Sequence, residues 1–362
     1  MASKKKLLQA AAGSAGGAAL DVDDVFSTYL WEGNSTASRD IVNGIDLAGE
    51  GGITWIKCRT VAESHGVYTT DRGANKTLLT DASDAEDTIG TTVFESFNSD
   101  GFTVGTHGRT NTSGRDYVSW TFRKAPKFFD IVTYTGDGNS GRTVSHSLGS
   151  VPGMIIVKKL SGGSGGTSDW EVFHRSIDSS APEDYTIQLN NTDARSDNAS
   201  RWNDTAPTSS VFTLGNSSFV NENTASYVAY LFAHNDGDGE FGPDSDQDII
   251  KCGSYTGNGS STGPTVDLGF EPQFVMVKGA TSSSGWTVVD NMRGMTVDGT
   301  ADPILYWNFS NSEDTAGRFT PQPTGFQVRS TSSYVNTSGQ TYIYIAIRRG
   351  PLAAPESATD VF

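Results

Sequence analysis

The chain says the same thing three times at domain scale, and this constrains its fold more than any single motif. DIVTYTGDG (Asp130 to Gly138) and DIIKCGSYTGNG (Asp248 to Gly259) share a β-branched opening and a Tyr-Thr-Gly-x-Gly close. DVFSTYLWEG (Asp24 to Gly33) fits the same frame more loosely. Next come LGSVPGMIIVKK (Leu148 to Lys159) and LGFEPQFVMVKG (Leu268 to Gly279). The first copy has LAGEGGITWIKC (Leu47 to Cys58), with Gly51 where the others carry Pro152 and Pro272. A further strand aligns Trp170 and Trp286 with Val67, and His174 and Asp290 with Asp71. Each copy closes on a strand pair marked by Phe102, Phe212 and Phe326, then Tyr117, Tyr227 and Tyr342. The tyrosines are 110 and 115 residues apart, a domain-sized spacing rather than that of a solenoid unit. The chain therefore divides into an arm (1–23), copies at 24–127, 128–243 and 244–350, and a tail (351–362).

Each copy reads as β structure. Helical periodicity is almost absent after the first twenty residues, and short β-branched and aromatic runs are bounded by Gly, Asn, Ser or Pro. The expected fold is all-β: three tandem β-sandwich, jelly-roll-like repeats behind a short N-terminal arm. Tyr342 to Ile347 is apolar on both faces. Such a strand lies inside a sandwich or has its outer face covered by another subunit. Lys158 and Lys278 follow apolar runs and are expected to reach solvent from strand ends.

The formal charge is −16 and the pI about 4.6, which sets the surface against nucleic-acid phosphates. Two cysteines, Cys58 and Cys252, cannot build a disulfide framework and read as reduced structural thiols. The opening MASKKKLLQAAAGSAGGA has a basic tip but a weak apolar run, so it reads as a docking arm rather than a signal peptide. Lys4, Lys5, Lys6, Leu7 and Leu8 are the expected docking residues. No stretch has the apolar length of a membrane span.

No nucleophile, phosphate-loop or zinc motif is present, and the five histidines do not share a metal-ligand spacing. The expectation is a protein without catalytic activity. Two other features are candidate sites. Asp236, Asp238, Glu240, Asp244, Asp246 and Asp248 crowd one glycine-rich stretch, a pattern that could hold Ca²⁺, beside the plainer reading of a solvated acidic linker between copies two and three. Trp202, in a polar loop without a counterpart in the other copies, is a candidate platform for stacking a sugar.

YTGNG, LGFEP-x-FVMVK, GW-x-VVDNMRG and the closing N-x-SG strand together resemble a repeated β-domain of tail-fibre and tail-appendage proteins from marine, cyanophage-like bacteriophages. The opening arm is similar to that group's as well. The resemblance implies a virion protein assembled in the host cytoplasm, a homotrimer held to other tail proteins by its arm, with host-surface polysaccharide as a partner. It supplies no catalytic residues. Copy one departs from the pattern at Gly51 and at Val67. The alternative reading is a capsid-decoration or neck protein without receptor binding. A polysaccharide-degrading spike would need two carboxylates across a groove, and a secreted lectin would need a signal peptide.

Overall fold

The computed structural model describes residues 20–88, 90–163, 167–297 and 301–350. Copy one contributes β1 (Phe26–Glu32), β2 (Arg39–Val42), β3 (Gly52–Cys58), β4 (Gly66–Thr69), β5 (Lys76–Leu79), β6 (Asp87–Thr88), β7 (Phe94–Asn98), β8 (Gly101–Val104) and β9 (Asp116–Arg123). Copy two contributes β10 (Phe129–Thr135), β11 (Arg142–Ser145), β12 (Met154–Ser161), β13 (Glu171–His174), β14 (Tyr185–Gln188), β15 (Ser196–Asp197), β16 (Val211–Leu214) and β17 (Ser226–Phe232). Copy three contributes β18 (Ile250–Thr256), β19 (Thr265–Asp267), β20 (Pro272–Gly279), β21 (Thr287–Asp290), β22 (Leu305–Tyr306), β23 (Phe319–Gln322), β24 (Gly325–Val328) and β25 (Thr341–Arg348). The helices α1 (Val22–Val25), α2 (Leu47–Glu50) and α3 (Ala199–Trp202) are single turns.

The strands form large antiparallel sheets in the orders β1-β9-β3-β4-β5-β6, β10-β17-β12-β13-β14-β15 and β18-β25-β20-β21-β22. A small sheet faces each one: β2-β8-β7, β11-β16 and β19-β24-β23. The fold is thus all-β and built of sandwiches. Its layers are unequal, whereas a jelly roll sets two Greek keys of similar size against each other.

Strand alternation explains the packing. In β25, Tyr342, Tyr344 and Ala346 point into the sandwich, where they join Val266, Phe326 and Val328 of the small sheet. Ile343, Ile345 and Ile347 point the other way, into a second core. In β9, Tyr117 faces the sandwich while Val118, Trp120 and Phe122 face that same second core. The second core lies between the large sheets. Phe122 meets Phe129 and Phe232 of copy two and Phe274 of copy three. Trp55 of copy one stacks on Trp307 of copy three at 3.9 Å between ring centroids. The apolar outer faces are therefore covered within one chain. The double-sided strands that suggested oligomer contacts need no second subunit.

Strand register also corrects two alignments in copy one. Trp55, Ile156 and Met276 lie opposite Val67, Val172 and Val288. The counterpart of Trp170 and Trp286 is thus His65, two residues before Val67. By the same register Thr69, not Asp71, matches His174 and Asp290.

Candidate functional site

The seams between copies carry the buried polar groups, and they run in one direction round a ring. The Trp170 indole of copy two donates to the Leu79 carbonyl of copy one at 3.1 Å. The Trp286 indole of copy three donates to the Gln188 carbonyl of copy two at 3.0 Å. His65 of copy one is buried against the Tyr306 and Phe309 backbone of copy three, and burial holds its imidazole well below the usual histidine range. Leu79, Gln188 and Tyr306 are themselves equivalent positions.

Lys57, Lys158 and Lys278 repeat the pattern. All are buried, which corrects the expectation that strand-end lysines reach solvent. Lys57 donates to Ser310 O of copy three at 3.1 Å and Lys158 to Ser83 O of copy one at 3.0 Å. Lys278 donates to Thr192 O and Asp193 O of copy two at 3.1 and 2.9 Å. Burial lowers Lys57 and Lys158 to about 8 and Lys278 to about 7. Each ammonium satisfies carbonyls of the neighbouring loop that would otherwise be orphaned inside the protein. His174 and Asp290 are seam residues as well. His174 Nε2 lies 3.0 Å from Tyr344 O, and Asp290 accepts from the Trp120 indole while pairing with the buried Arg293 guanidinium at 2.6 Å. These groups weld the ring and are closed to solvent.

The acidic stretch 235–248 is part of the same scaffold. Asp248 accepts from Gly237 N and Gly239 N and pairs with Lys251. Asp238 and Glu240 pair with Lys127, and Asp236 with Lys251. Asp244 and Asp246 project toward solvent. Among the described residues no three His, Cys, Asp or Glu side chains converge as a metal site, so the calcium expectation is not met by this geometry. The carboxylates instead fold the loop and clasp two lysines. Phe241 is buried against Phe128, and Gly242 N donates to Leu20 O at 2.9 Å.

That clasp marks one pole of the molecule. Asn235, fully buried, donates to Lys127 O and accepts from Ile249 N and Ile250 N, tying the two inter-copy connections together. The first described residue, Leu20, lies beside it, and so does the last, Gly350, where an added Cβ would lie 2.6 Å from the Asp23 carboxylate. An open cleft of about 400 Å³ lies at the exit, between Phe270, Glu271, Arg348 and Arg349. The proposed docking residues Lys4, Lys5, Lys6, Leu7 and Leu8, and the tail 351–362, lie outside the described residues.

The opposite ends of the first and last strands of each copy form three tips of one design. Tyr117, Tyr227 and Tyr342 stack on Trp31, Tyr134 and Tyr255 with centroids 5.5, 5.2 and 5.3 Å apart. Their hydroxyls accept from Thr112 N, Glu222 N and Thr337 N. Buried Asn111, Asn221 and Asn336 accept from Asn34 N, Asp137 N and Asn258 N. Gly33, Gly136 and Gly257 are required here, because an added Cβ would lie 2.1, 2.0 and 2.3 Å from the Thr112, Glu222 and Thr337 carbonyl oxygens. The repeated Tyr-Thr-Gly-x-Gly is therefore a tip clamp.

Trp202 is not a sugar platform. It is 2% exposed and meets Phe173 edge-on. Its polar surroundings in sequence are the single turn α3, which packs on β16 where copies one and three have a third small-sheet strand. A cleft that sequence reasoning missed lies on copy one, about 280 Å³ in volume, between Thr77, Leu79, Asp84, Ala85, Asp87 and Arg109. The signal for it was present in the repeat: Arg109 stands where the other copies have Phe219 and Tyr334.

Both free cysteines are buried, and burial raises the Cys252 thiol pKa. No described helix is long and apolar enough to cross a membrane. Fold and site together define a protein of three β-sandwich units closed round a shared core, with Leu20 and Gly350 at one pole. The chain belongs to the family described as a domain of unknown function (DUF7483), whose model matches residues 21–351 and so spans all three copies as one unit. No curated protein and no solved structure matches the chain.

Proposed function

We propose that this chain is a structural, non-enzymatic protein of a bacteriophage virion: a tail fibre or tail appendage that contributes to attachment at a host-surface glycan. The observation that carries the reading is polarity. Leu20 and Gly350 share one pole, so an arm preceding Leu20 and its virion partners would occupy that end and leave the three polar tips and the sides of the lobes free. The motif resemblance points to the same location, with assembly in the host cytoplasm and a homotrimer as its expectation. A second reading, a capsid-decoration or neck protein, is favoured by the closed ring, which gives breadth rather than the reach expected of domains strung end to end.

Antibodies raised against the purified full chain and applied with gold label to phage particles test this. Gold on the tail supports the appendage, and gold over the capsid supports the second reading. Particles that carry no label overturn both.

A further inference from the structure

We propose that the copy-one cleft between Arg109 and Asp84/Asp87 binds a single uncharged sugar ring of hexose size. The argument begins with what fills this place elsewhere. In copy two the equivalent of Arg109 is Phe219, capped by the Arg201 guanidinium 4.3 Å from its ring centroid. Arg201 in turn pairs with buried Glu171 at 3.1 Å, and Thr186 and Gln188 also donate to Glu171. In copy three the equivalent is Tyr334, packed edge-on against Tyr306 at 5.4 Å. Copy one replaces both halves of the copy-two plug. The Glu171 position is Gly66, and the aromatic position is Arg109. The opening that results is about 280 Å³.

Its groups are unspent. Among the described residues neither Arg109, Asp84 nor Asp87 has an ion-pair partner or a side-chain hydrogen bond. Thr77, which lines the cleft, also neighbours the fully buried Tyr68 hydroxyl.

Charge then selects the ligand class. Two carboxylates disfavour an anion, and the guanidinium disfavours a simple cation. Hydroxyl groups suit both, since each donates to a carboxylate and accepts from the guanidinium fork. Leu79 and Ala85 offer an apolar strip for the C–H face of a ring. The volume admits one ring, so the ligand is a terminal or branch sugar rather than a run of a chain. This inference deepens the glycan-attachment reading and rests on it for biological purpose, although the site stands on its own geometry.

The test is saturation-transfer NMR on the full chain with methyl glucosides, galactosides and mannosides, alongside glycine betaine. Transfer from at least one hexoside is expected. Arg109→Tyr, which puts the copy-three ring at this position over Leu79, should abolish it at unchanged thermal stability. Asp87→Asn, at an exposed position, should weaken affinity by about tenfold. Absence of transfer from every hexoside, transfer unchanged in Arg109→Tyr, or binding of betaine alone overturns the proposal. Gold labelling of particles is independent of this outcome, so a failed site and a failed virion assignment are separately visible.

Discussion

Lys57, Lys158 and Lys278 occupy one structural position three times, and their ammonium groups are caged by carbonyl oxygens at the seams. An unfolded lysine titrates near 10.4. In the folded chain burial brings these three to about 8, 8 and 7. Between about pH 7 and 10 the unfolded chain therefore holds more protons, and stability rises with pH. Above that range the order reverses, because Tyr68, Tyr227 and Tyr344 are raised by burial to about 12 and keep protons that the unfolded chain releases. At the acid end, burial lowers His174 and His234 to about 3 and 4, so stability falls as pH drops below about 6.5. The urea midpoint should climb from pH 5 to 7 and again from 7 to 9. A midpoint that is flat or lower at pH 9 refutes this account of the lysines. Lys278→Met should flatten the upper slope. It should also cost about 1–3 kcal/mol at pH 7, since the Thr192, Asp193 and Gly279 carbonyls lose their donor.

At the scale of elements, the central strands β9, β17 and β25 serve two cores at once. The central core depends on a few large rings, of which Trp307 is the hub: it stacks on Trp55 and lies 6.3 Å from Trp120 and 6.0 Å from Phe274. Trp307→Ala should lower stability by about 3–5 kcal/mol in urea denaturation. A loss under about 1 kcal/mol would mean that the seam between copies one and three is not closed by this packing. The strands themselves were legible as β-branched and aromatic runs, and Tyr342 to Ile347 was legible as needing cover on both sides. What lay against the outer face was not, because periodicity reports that a face is apolar and not which chain covers it. Copy one slipped by two residues because its seam residue is His65, which offered no tryptophan to align. Trp202 misled because a single helical turn looks polar in sequence while its one large side chain is buried. The Arg109 cleft was half legible: the repeat shows an arginine where Phe219 and Tyr334 stand, but the opening itself is walled by segments far apart in the chain, which no local pattern brings together.

For the whole molecule, the shared core means that no copy is complete alone. Copy three cut out at 244–350 would expose Phe274, Met276, Trp286, Leu305, Trp307, Ile343, Ile345 and Ile347 to water. That segment should aggregate or stay unfolded, judged by circular dichroism and light scattering. The full chain should melt in one transition followed identically by both probes. A soluble, cooperatively folded copy three would show the copies to be independent domains instead.

The adjacency of Leu20 and Gly350 at the clasp leaves the ring without a privileged first member. Two of its three seams are bridged by polypeptide, and the third is held by side-chain and backbone contacts without a connecting segment, among them the Arg59–Glu313 pair, the Lys57 bond to Ser310 O and the Trp55–Trp307 stack. The gene order is then one of three ways to thread the same solid. Joining the ends and cutting at either bridge would describe an identical body by a different reading of its circumference.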